Sequence, residues 1–410
     1  MFSVALFFRL AFFFHHEAQG WRLTHDPSLY LALADGLKHG AFTMFHPLDI
    51  PETTRMPGYP WLIHLAGGVR SVLLLQVVSS SLKIPLMHML GTHAGLNGRM
   101  AWVPPLLMAI EPMDIILSGE LLTESLFAML LLGGLVLLSP PRGVVAVICA
   151  AACFAVAAYL RPNGLHIALL AGVLLLLQKG QRRWHGFLLM ILCLLAVLPW
   201  MLRNRALDGR FHVSDSGVVV AAHFHVPQVL EAVGRSTNEK ERQQLREIAS
   251  RTNWTDRVEM RAYFEGISAH VHRTFLSHPF TWARLQLEKA ARILVAPGKG
   301  YAQRHFGSGP TTILLIGVSL LFSLCIVAGA VFLIMQASRI TQHEWLLLFV
   351  AAFTILSGAI STADARFKNP AMPLLLILAA GGIQRLLQRT SSPSVQRWLK
   401  KGVNPDSARA

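Results

Sequence analysis

The chain has 410 residues, of which 53% are hydrophobic and only 14% charged, and its mean hydropathy is +0.47; a soluble domain carries about 25% charged residues. That balance excludes a disordered chain, a collagen and a disulfide-stapled secreted domain, and it predicts an all-α polytopic membrane protein. The 37 basic and 22 acidic residues leave a formal charge of +15, which in such a protein reports which side each loop faces and does not call for nucleic acid as a partner.

A membrane span takes roughly 20 mostly apolar residues. Ten runs are candidates, at about 1–15, 71–92, 100–117, 120–139, 144–160, 164–178, 186–202, 310–336, 345–360 and 369–387. The first is short and carries Arg9, but no small-residue cleavage site follows it, so it reads as a span and not as a signal peptide. With ten spans, Arg99, Arg142, Lys179, Arg182, Arg183 and Arg339 fall on one side with the tail residues Arg385, Arg389, Arg397, Lys400, Lys401 and Arg409. Inner loops gather Lys and Arg, so that side is the cytoplasm and both termini lie there.

The expected division is an N-terminal membrane module over 1–202 that includes outer loop one (16–70), an outer helical loop over 203–309, C-terminal membrane helices over 310–387 and a basic tail over 388–410. The long loop is neither low in complexity nor Gly/Ser-rich, and 236–294 reads as helices, with Arg284, Glu288 and Arg292 at four-residue steps. No internal repeat is visible. Cys149, Cys153, Cys193 and Cys325 all lie in apolar runs and read as small buried hydrophobes.

Loop one is the most informative segment. Asp26 followed by Pro27 reads as an N-cap with proline at the first helical position. In the helix that follows, Leu29, Ala32, Leu33, Gly36 and Leu37 share a face, so Asp26 has a purely structural reading as the cap of a surface helix. A turn then leads to Arg55-Met56-Pro57-Gly58-Tyr59-Pro60 at the membrane edge. Further along stand Leu121-Leu122-Thr123-Glu124-Ser125, Leu160-Arg161-Pro162, Pro199-Trp200 with Arg203-Asn204, His278-Pro279, and Arg366 ahead of Pro370 and Pro373.

In order and topology these segments resemble the GT-C glycosyltransferases, and among them the dolichyl-phosphate-mannose–protein mannosyltransferase-like family, whose relatives include bacterial aminoarabinose lipid A transferases. The resemblance runs over nearly the whole chain. It implies a membrane enzyme that moves a hexosyl or pentosyl group from a polyprenyl-phosphate carrier to a lipid, glycan or protein acceptor on the outer face; the compact chain favours the plasma (inner) membrane of a bacterium over the ER. The chain departs from many relatives in having Pro27, where they have an acidic residue directly after the loop-one Asp.

The chemistry fits those residue types. A lipid-phosphate donor needs cations at the membrane edge, and the planar fork of arginine gives a phosphate two parallel charge-assisted hydrogen bonds. Arg55, Arg161, Arg203, Arg205 and Arg366 all fall at outer span ends. Arginines there also snorkel to lipid headgroups, and for Arg203 and Arg205 that reading stands level with donor binding. Inverting transfer needs one carboxylate as base, and Asp26 is the candidate. The phosphate leaves with charge stabilisation alone, so no second catalytic carboxylate is required.

Tyr30, Tyr59 and Glu124 are the candidates for an acceptor or sugar pocket. An intramembrane carboxylate is costly and points to function, but Glu124 has an equal reading as the ion-pair partner of Lys83. His223 and His225 alternate, which on a strand would turn both to one face. With Asp26 they are weak candidates for a divalent metal ion, and no cofactor is required by the sequence. A transporter or lipid flippase, and an O-antigen polymerase or ligase, stand as alternative functions; the first would set charges near the bilayer middle, where only Arg9, Lys83 and Glu111 are candidates.

Overall fold

The structure, a computed structural model, describes residues 1–21, 25–44, 50–139, 143–178, 182–335 and 340–390. Arg142, Lys179, Arg339, Arg397, Lys400, Lys401 and Arg409, which helped to orient the chain, lie outside the described residues.

The described chain is helical apart from one short two-stranded ladder. Helix α1 (Phe2–Ala18) leads to α2 (His25–Lys38), strands β1 (Thr43–Met44) and β2 (Ile50–Pro51), and α3 (Gly58–Ala66). The strands pair antiparallel, Thr43 opposite Pro51 and Met44 opposite Ile50. Next come α4 (Val69–His93), α5 (Val103–Ala109), α6 (Pro112–Ser118), α7 (Glu124–Leu138), α8 (Val144–Leu160), α9 (Asn163–Leu176) and α10 (Arg182–Asp208). The outer segment holds α11 (Ser216–Val220), α12 (Val226–Ala232), α13 (Asn238–Arg251), α14 (Arg257–Ser277), α15 (Pro279–Val295) and α16 (Lys299–Phe306). The chain returns to the bundle with α17 (Pro310–Ile334), α18 (Gln342–Ala359) and α19 (Met372–Thr390).

Each apolar run became helix, but not each became one long helix. Among the described residues four helices are long and apolar enough to cross a membrane: α4, most of α10, most of α17, and α18. The run at 100–117 is broken. Pro112 has no N–H to continue α5, the Glu111 carboxylate caps the new helix at Asp114 N (2.5 Å), and the two pieces bend by 54°. Helices α7, α8, α9 and α19 are apolar but shorter.

The main core joins α4 and α5 to α7–α10 and α17–α19. Helices α9 and α10 approach closely where Gly172 and Gly186 face each other; a Cβ on Gly186 would lie 2.4 Å from the Gly172 carbonyl oxygen. Of the cysteines only Cys193 is buried, while Cys149 and Cys325 stand exposed on the apolar faces of α8 and α17. The expectation of four buried thiols is corrected: an apolar run in a membrane helix has two apolar faces, and hydropathy does not tell the packed one from the outward one.

Helices α13 to α15 fall within the stretch read as helical. Helix α2 begins at His25, so Asp26 lies inside its first turn and does not precede it as a cap. His223 and His225 sit on a π-helical turn, Ala221–His225, and not on a strand. Glu124 does not pair with Lys83: Lys83 bonds Asp114, and Glu124 faces Arg161.

Candidate active site

The antiparallel order of neighbouring helices brings the start of α7, the end of α8 and the link between α18 and α19 to one rim, over which loop one folds. Each of these places supplies a charge. Asp26 comes from the first turn of α2, Arg55 from the strap before α3, and Glu124 opens α7. Arg161 is the residue that ends α8, and Arg366 sits in a 3-10 turn, Ala365–Lys368, whose start is capped by Asp364 accepting from Arg366 N at 3.0 Å.

These side chains form one cluster. Arg366 Nη1 lies 2.8 Å from Asp26 Oδ2, and Arg366 Nε lies 3.9 Å from Glu124 Oε1. Arg161 Nη1 is 3.0 Å from the same Glu124 oxygen. Arg55 Nη2 stands 3.9 Å from Asp26 Oδ1, and its other face meets Glu52, Nη1 to Oε2 at 3.5 Å. The Glu52 carboxylate also accepts from Arg55 N at 2.9 Å, so it fixes the strap that carries Arg55.

Three guanidiniums thus meet three carboxylates, and the formal charges balance. Three polar atoms of the cluster are buried without a hydrogen-bond partner among the described residues, Glu124 Oε2, Arg161 Nη1 and Arg366 Nε. Such orphans are rare in packed interiors and mark where a ligand or water belongs. Burial alone would lower the Arg366 pKa, but Glu124, Tyr301 and Asp26 outweigh it and hold it above the usual arginine value.

Around the charges stand aromatic rings. Arg366 lies over the Phe367 ring at 5.1 Å, and Arg161 over Phe127 at 5.8 Å. Tyr30 meets Tyr59 edge to face at 4.9 Å. Burial pushes the Tyr30 hydroxyl up to about 12, with the charge of Glu124 adding to the effect. Tyr59 is fully buried and donates to Gln76 Oε1, so it stands inside the helix packing and ties loop one to α4. Gly58 makes this seat possible: a Cβ there would lie 2.6 Å from the Tyr159 carbonyl oxygen.

Other candidates fall elsewhere. Arg203 donates to the carbonyls of Glu52 (2.6 Å) and Phe42 (3.2 Å) and stacks on Trp200 at 4.5 Å, which makes it a clamp on loop one. Arg205 is exposed on α10, and no ion pair joins it to the cluster among the described residues. His225 is buried in the outer helices, where Lys289 Nζ donates to its Nδ1 at 3.1 Å and Trp282 packs against its ring. Burial, then the charge of Lys289, lowers His225 to about 4. Arg242 donates to the His223 carbonyl.

Among the described residues the donor set that comes together most like a cation site is Asp208, His212 and Asp215, at the exit of α10. It does not fit a divalent ion, because Arg210 already sits on both carboxylates, 2.9 Å from Asp215 Oδ1 and directly on Asp208. Beside it lies an open cleft of about 450 Å³ lined by Asp208, Arg257, Arg261 and Glu265; none of the Asp26 cluster lines it.

Sequence reading passed over Glu52, Tyr301 and Asp114. Glu52 had a signal, since it stands three residues before Arg55. Tyr301 is buried on α16 and feels Arg366, Asp364 and Glu124 electrostatically, but no local pattern places it there.

Neither a protein-family model nor a curated protein sequence matches the chain. Solved structures do. The archaeal oligosaccharyltransferase AglB from Archaeoglobus fulgidus, in complex with an inhibitory peptide and a dolichol-phosphate, superposes with a TM-score of 0.55 at 14% identity, covering 98% of this chain and 52% of that one. The Archaeoglobus fulgidus oligosaccharyltransferase tethered to an acceptor peptide containing the NVT sequon gives 0.53 at 12% identity over 94% and 49% of the two chains. The chain shares the fold of these archaeal oligosaccharyltransferases, in agreement with the fold that the resemblance to GT-C enzymes implies. It spans about half the length of these archaeal enzymes. ArnT from Cupriavidus metallidurans, bound to undecaprenyl phosphate, matches at 13% identity over 94% of this chain and 77% of that one, but its TM-score of 0.39 is too low for sites to be compared. Within this helical fold, the rim that carries Asp26, Glu124 and Arg366 is built from the first loop, the bundle and the last helix pair together.

Proposed function

We propose that the chain is an integral membrane glycosyltransferase that moves a sugar from a polyprenyl-phosphate carrier to an acceptor at the outer face, with inversion, in a bacterial inner membrane. On this reading the ten apolar runs all lie in the membrane, both termini are cytoplasmic and the rim is periplasmic. The observation that carries it is the joining of Asp26 and Arg366, 2.8 Å apart, in a cluster with Arg55, Arg161 and Glu124 at the ends of apolar helices. The fold of AglB, whose structure holds a dolichol-phosphate, agrees with a lipid-phosphate donor.

The charge balance suggests how such a site works. A polyprenyl-phosphate-linked sugar is a monoanionic phosphodiester. Its phosphate competes with Asp26 for Arg366 and, on binding, draws the guanidinium away. The Asp26 carboxylate is then open to the acceptor hydroxyl or amine. The acceptor oxygen or nitrogen bonds to the anomeric carbon from the face opposite the phosphate, its proton passes to Asp26, and the bond from the anomeric carbon to the phosphate oxygen breaks. The phosphate gains a negative charge as it leaves, and Arg366, Arg161 and Arg55 stabilise that charge. Since Asp26 is held by arginine until the donor arrives, the base is exposed only when there is a sugar to transfer.

The alternatives have less support. A transporter would be favoured by charges opening on a central aqueous path, whereas Arg9, Lys83 and Asp114 are fully buried and bonded to one another. The test is incubation of the purified chain in lipid nanodiscs with a set of radiolabelled polyprenyl-phosphate sugars and an extract of bacterial envelope lipids, glycans and proteins as acceptor. Consumption of one of them, with inverted configuration in the product, is expected. Failure to bind undecaprenyl or dolichyl phosphate at all would remove the proposal.

A further inference from the structure

Arg366 needs a fixed seat, because its turn links two helices at the edge of the bundle. Helix α19 starts at Met372, and Pro370 in the link has no N–H to give. The turn is gripped from two directions. Toward the outer helices, Lys368 Nζ donates to the Ala296 carbonyl at 2.7 Å and to Ser323 Oγ at 3.0 Å. Toward the bundle, Asn369 Nδ2 donates to Asp114 Oδ1 at 2.9 Å, and Asn369 N donates to the Arg366 carbonyl at 3.1 Å.

Asp114 is not an ordinary surface anchor. It is fully buried and is held by Arg9 (2.5 Å), Ser80 (3.0 Å) and Lys83. Arg9 in turn donates to Ser80 Oγ at 2.7 Å and to the carbonyls of Ala5, Met108 and Ala109. This network locks α1, α4, α5 and α6 into one frame around a single carboxylate. A group hydrogen-bonded to that carboxylate inherits the rigidity of the frame. Asparagine suits the role because it adds a donor without adding a third positive charge to a dry site.

We propose that Asp114 and Asn369 are a positioning pair for Arg366, through which the buried frame fixes the guanidinium that faces Asp26 and Glu124. Neither residue touches the donor; both act through the turn. The inference rests on the donor-site reading given above. It also accounts for charge deep in the bundle that the transfer chemistry leaves unused.

The experiment measures undecaprenyl phosphate binding to the full chain in nanodiscs. The variants are Asn369→Leu, Asn369→Ala and, as a control, Gln384→Leu. Gln384 is a buried amide toward the other end of α19 that donates to the Gly95 carbonyl at 3.0 Å, so its loss weakens the same helix without touching the turn. Asp114 stays in every variant, because its removal would leave Arg9 and Lys83 buried and unpaired. Both Asn369 variants are expected to bind roughly tenfold more weakly, the scale set by a sub-ångström to ångström misplacement of a binding group, while Gln384→Leu binds as the parent does. Parent-like binding by both Asn369 variants, or an equal loss in Gln384→Leu, overturns the pair. Absence of binding by the unaltered chain overturns the donor reading and takes this inference with it.

Discussion

The carboxylate of Asp26 and the guanidinium of Arg366 lie 2.8 Å apart although one belongs to the first loop and the other to the last interhelical turn. This pair makes the donor phosphate a competitor of Asp26. The Asp26→Asn variant keeps the shape and loses the charge, so two outcomes are expected of it together. Sugar transfer stops, because no base remains, and undecaprenyl phosphate binds several-fold more tightly, because Asp26 no longer holds Arg366 and Arg55 while Glu124 and Glu52 remain. Binding isotherms on parent and variant decide the point. Weaker binding by Asp26→Asn would show that Asp26 supports the donor site and does not compete within it.

Three of the candidate arginines should behave differently on mutation to alanine. Arg161→Ala removes a cation paired with Glu124 at 3.0 Å and should weaken lipid-phosphate binding by about 10- to 100-fold, the size of one or two charge-assisted hydrogen bonds. Arg205→Ala should leave binding unchanged. Arg203→Ala should lower stability by about 2–3 kcal/mol through the two carbonyls it leaves unbonded. Thermal melts in detergent together with binding isotherms separate these effects. A binding loss in Arg205→Ala equal to that in Arg161→Ala would place the donor elsewhere.

The sequence carried the helical class because apolar runs have no stable alternative in a membrane; Arg55, Arg161, Glu124 and Arg366 stood out as charges near the ends of such runs, and Asp26 stood out through the first-loop pattern that resembles the GT-C enzymes. Pairings were less legible. Glu124 was open between Lys83 and the site because two intramembrane charges of opposite sign look matched until the helices are placed. Lys83 instead meets Asp114, which lies in the bend at Pro112 and is hidden by the apolar residues on either side. Arg203 and Arg205 differ by two positions, which on a helix turns one toward loop one and the other outward. His223 and His225 read as alternating only if the segment is extended, and it is a π-helical turn.

Gly58 offers a test of how rigidly loop one is seated. A methyl group there meets the backbone of Tyr159, 2.6 Å from its oxygen, where no flexible side chain can yield. Gly58→Ala should push the start of α3 away from α8, costing about 1–3 kcal/mol and disturbing the Tyr59 bond to Gln76 and the adjacent strap that bears Arg55. A reduced melting temperature with weakened lipid-phosphate binding is expected. Unchanged values in both would mean that the contact relaxes freely.

The outer helices are tied to the same strap by a group that titrates. Thr53 Oγ1 donates to Asp215 Oδ2 at 2.8 Å, Asp215 N donates to the Thr53 carbonyl at 3.0 Å, and Ser214 Oγ donates to the Thr54 carbonyl at 2.6 Å. His212 Nε2 lies 3.0 Å from Asp215 and 3.8 Å from Asp208, with Arg210 on both carboxylates. Burial alone would lower the His212 pKa, but the Asp215 carboxylate 3.0 Å away and the charge of Asp208 raise it above its ordinary 6.5. Burial alone would raise Asp215, but His212 and Arg210 hold it below the ordinary 3.8. A histidine with a raised folded-state pKa stabilises the fold fully below its ordinary value and loses that contribution as pH rises through the raised one; a depressed carboxylate contributes above its ordinary value and loses that as pH falls. The tie is therefore strongest between the two, on the mildly acid side of neutrality. The difference in melting temperature between the parent and His212→Gln should be largest near pH 5 to 6 and should shrink steadily as the pH is raised past the ordinary histidine value. A difference that grew with pH would mean that His212 is held neutral, and the two aspartates would then be bound through Arg210 alone.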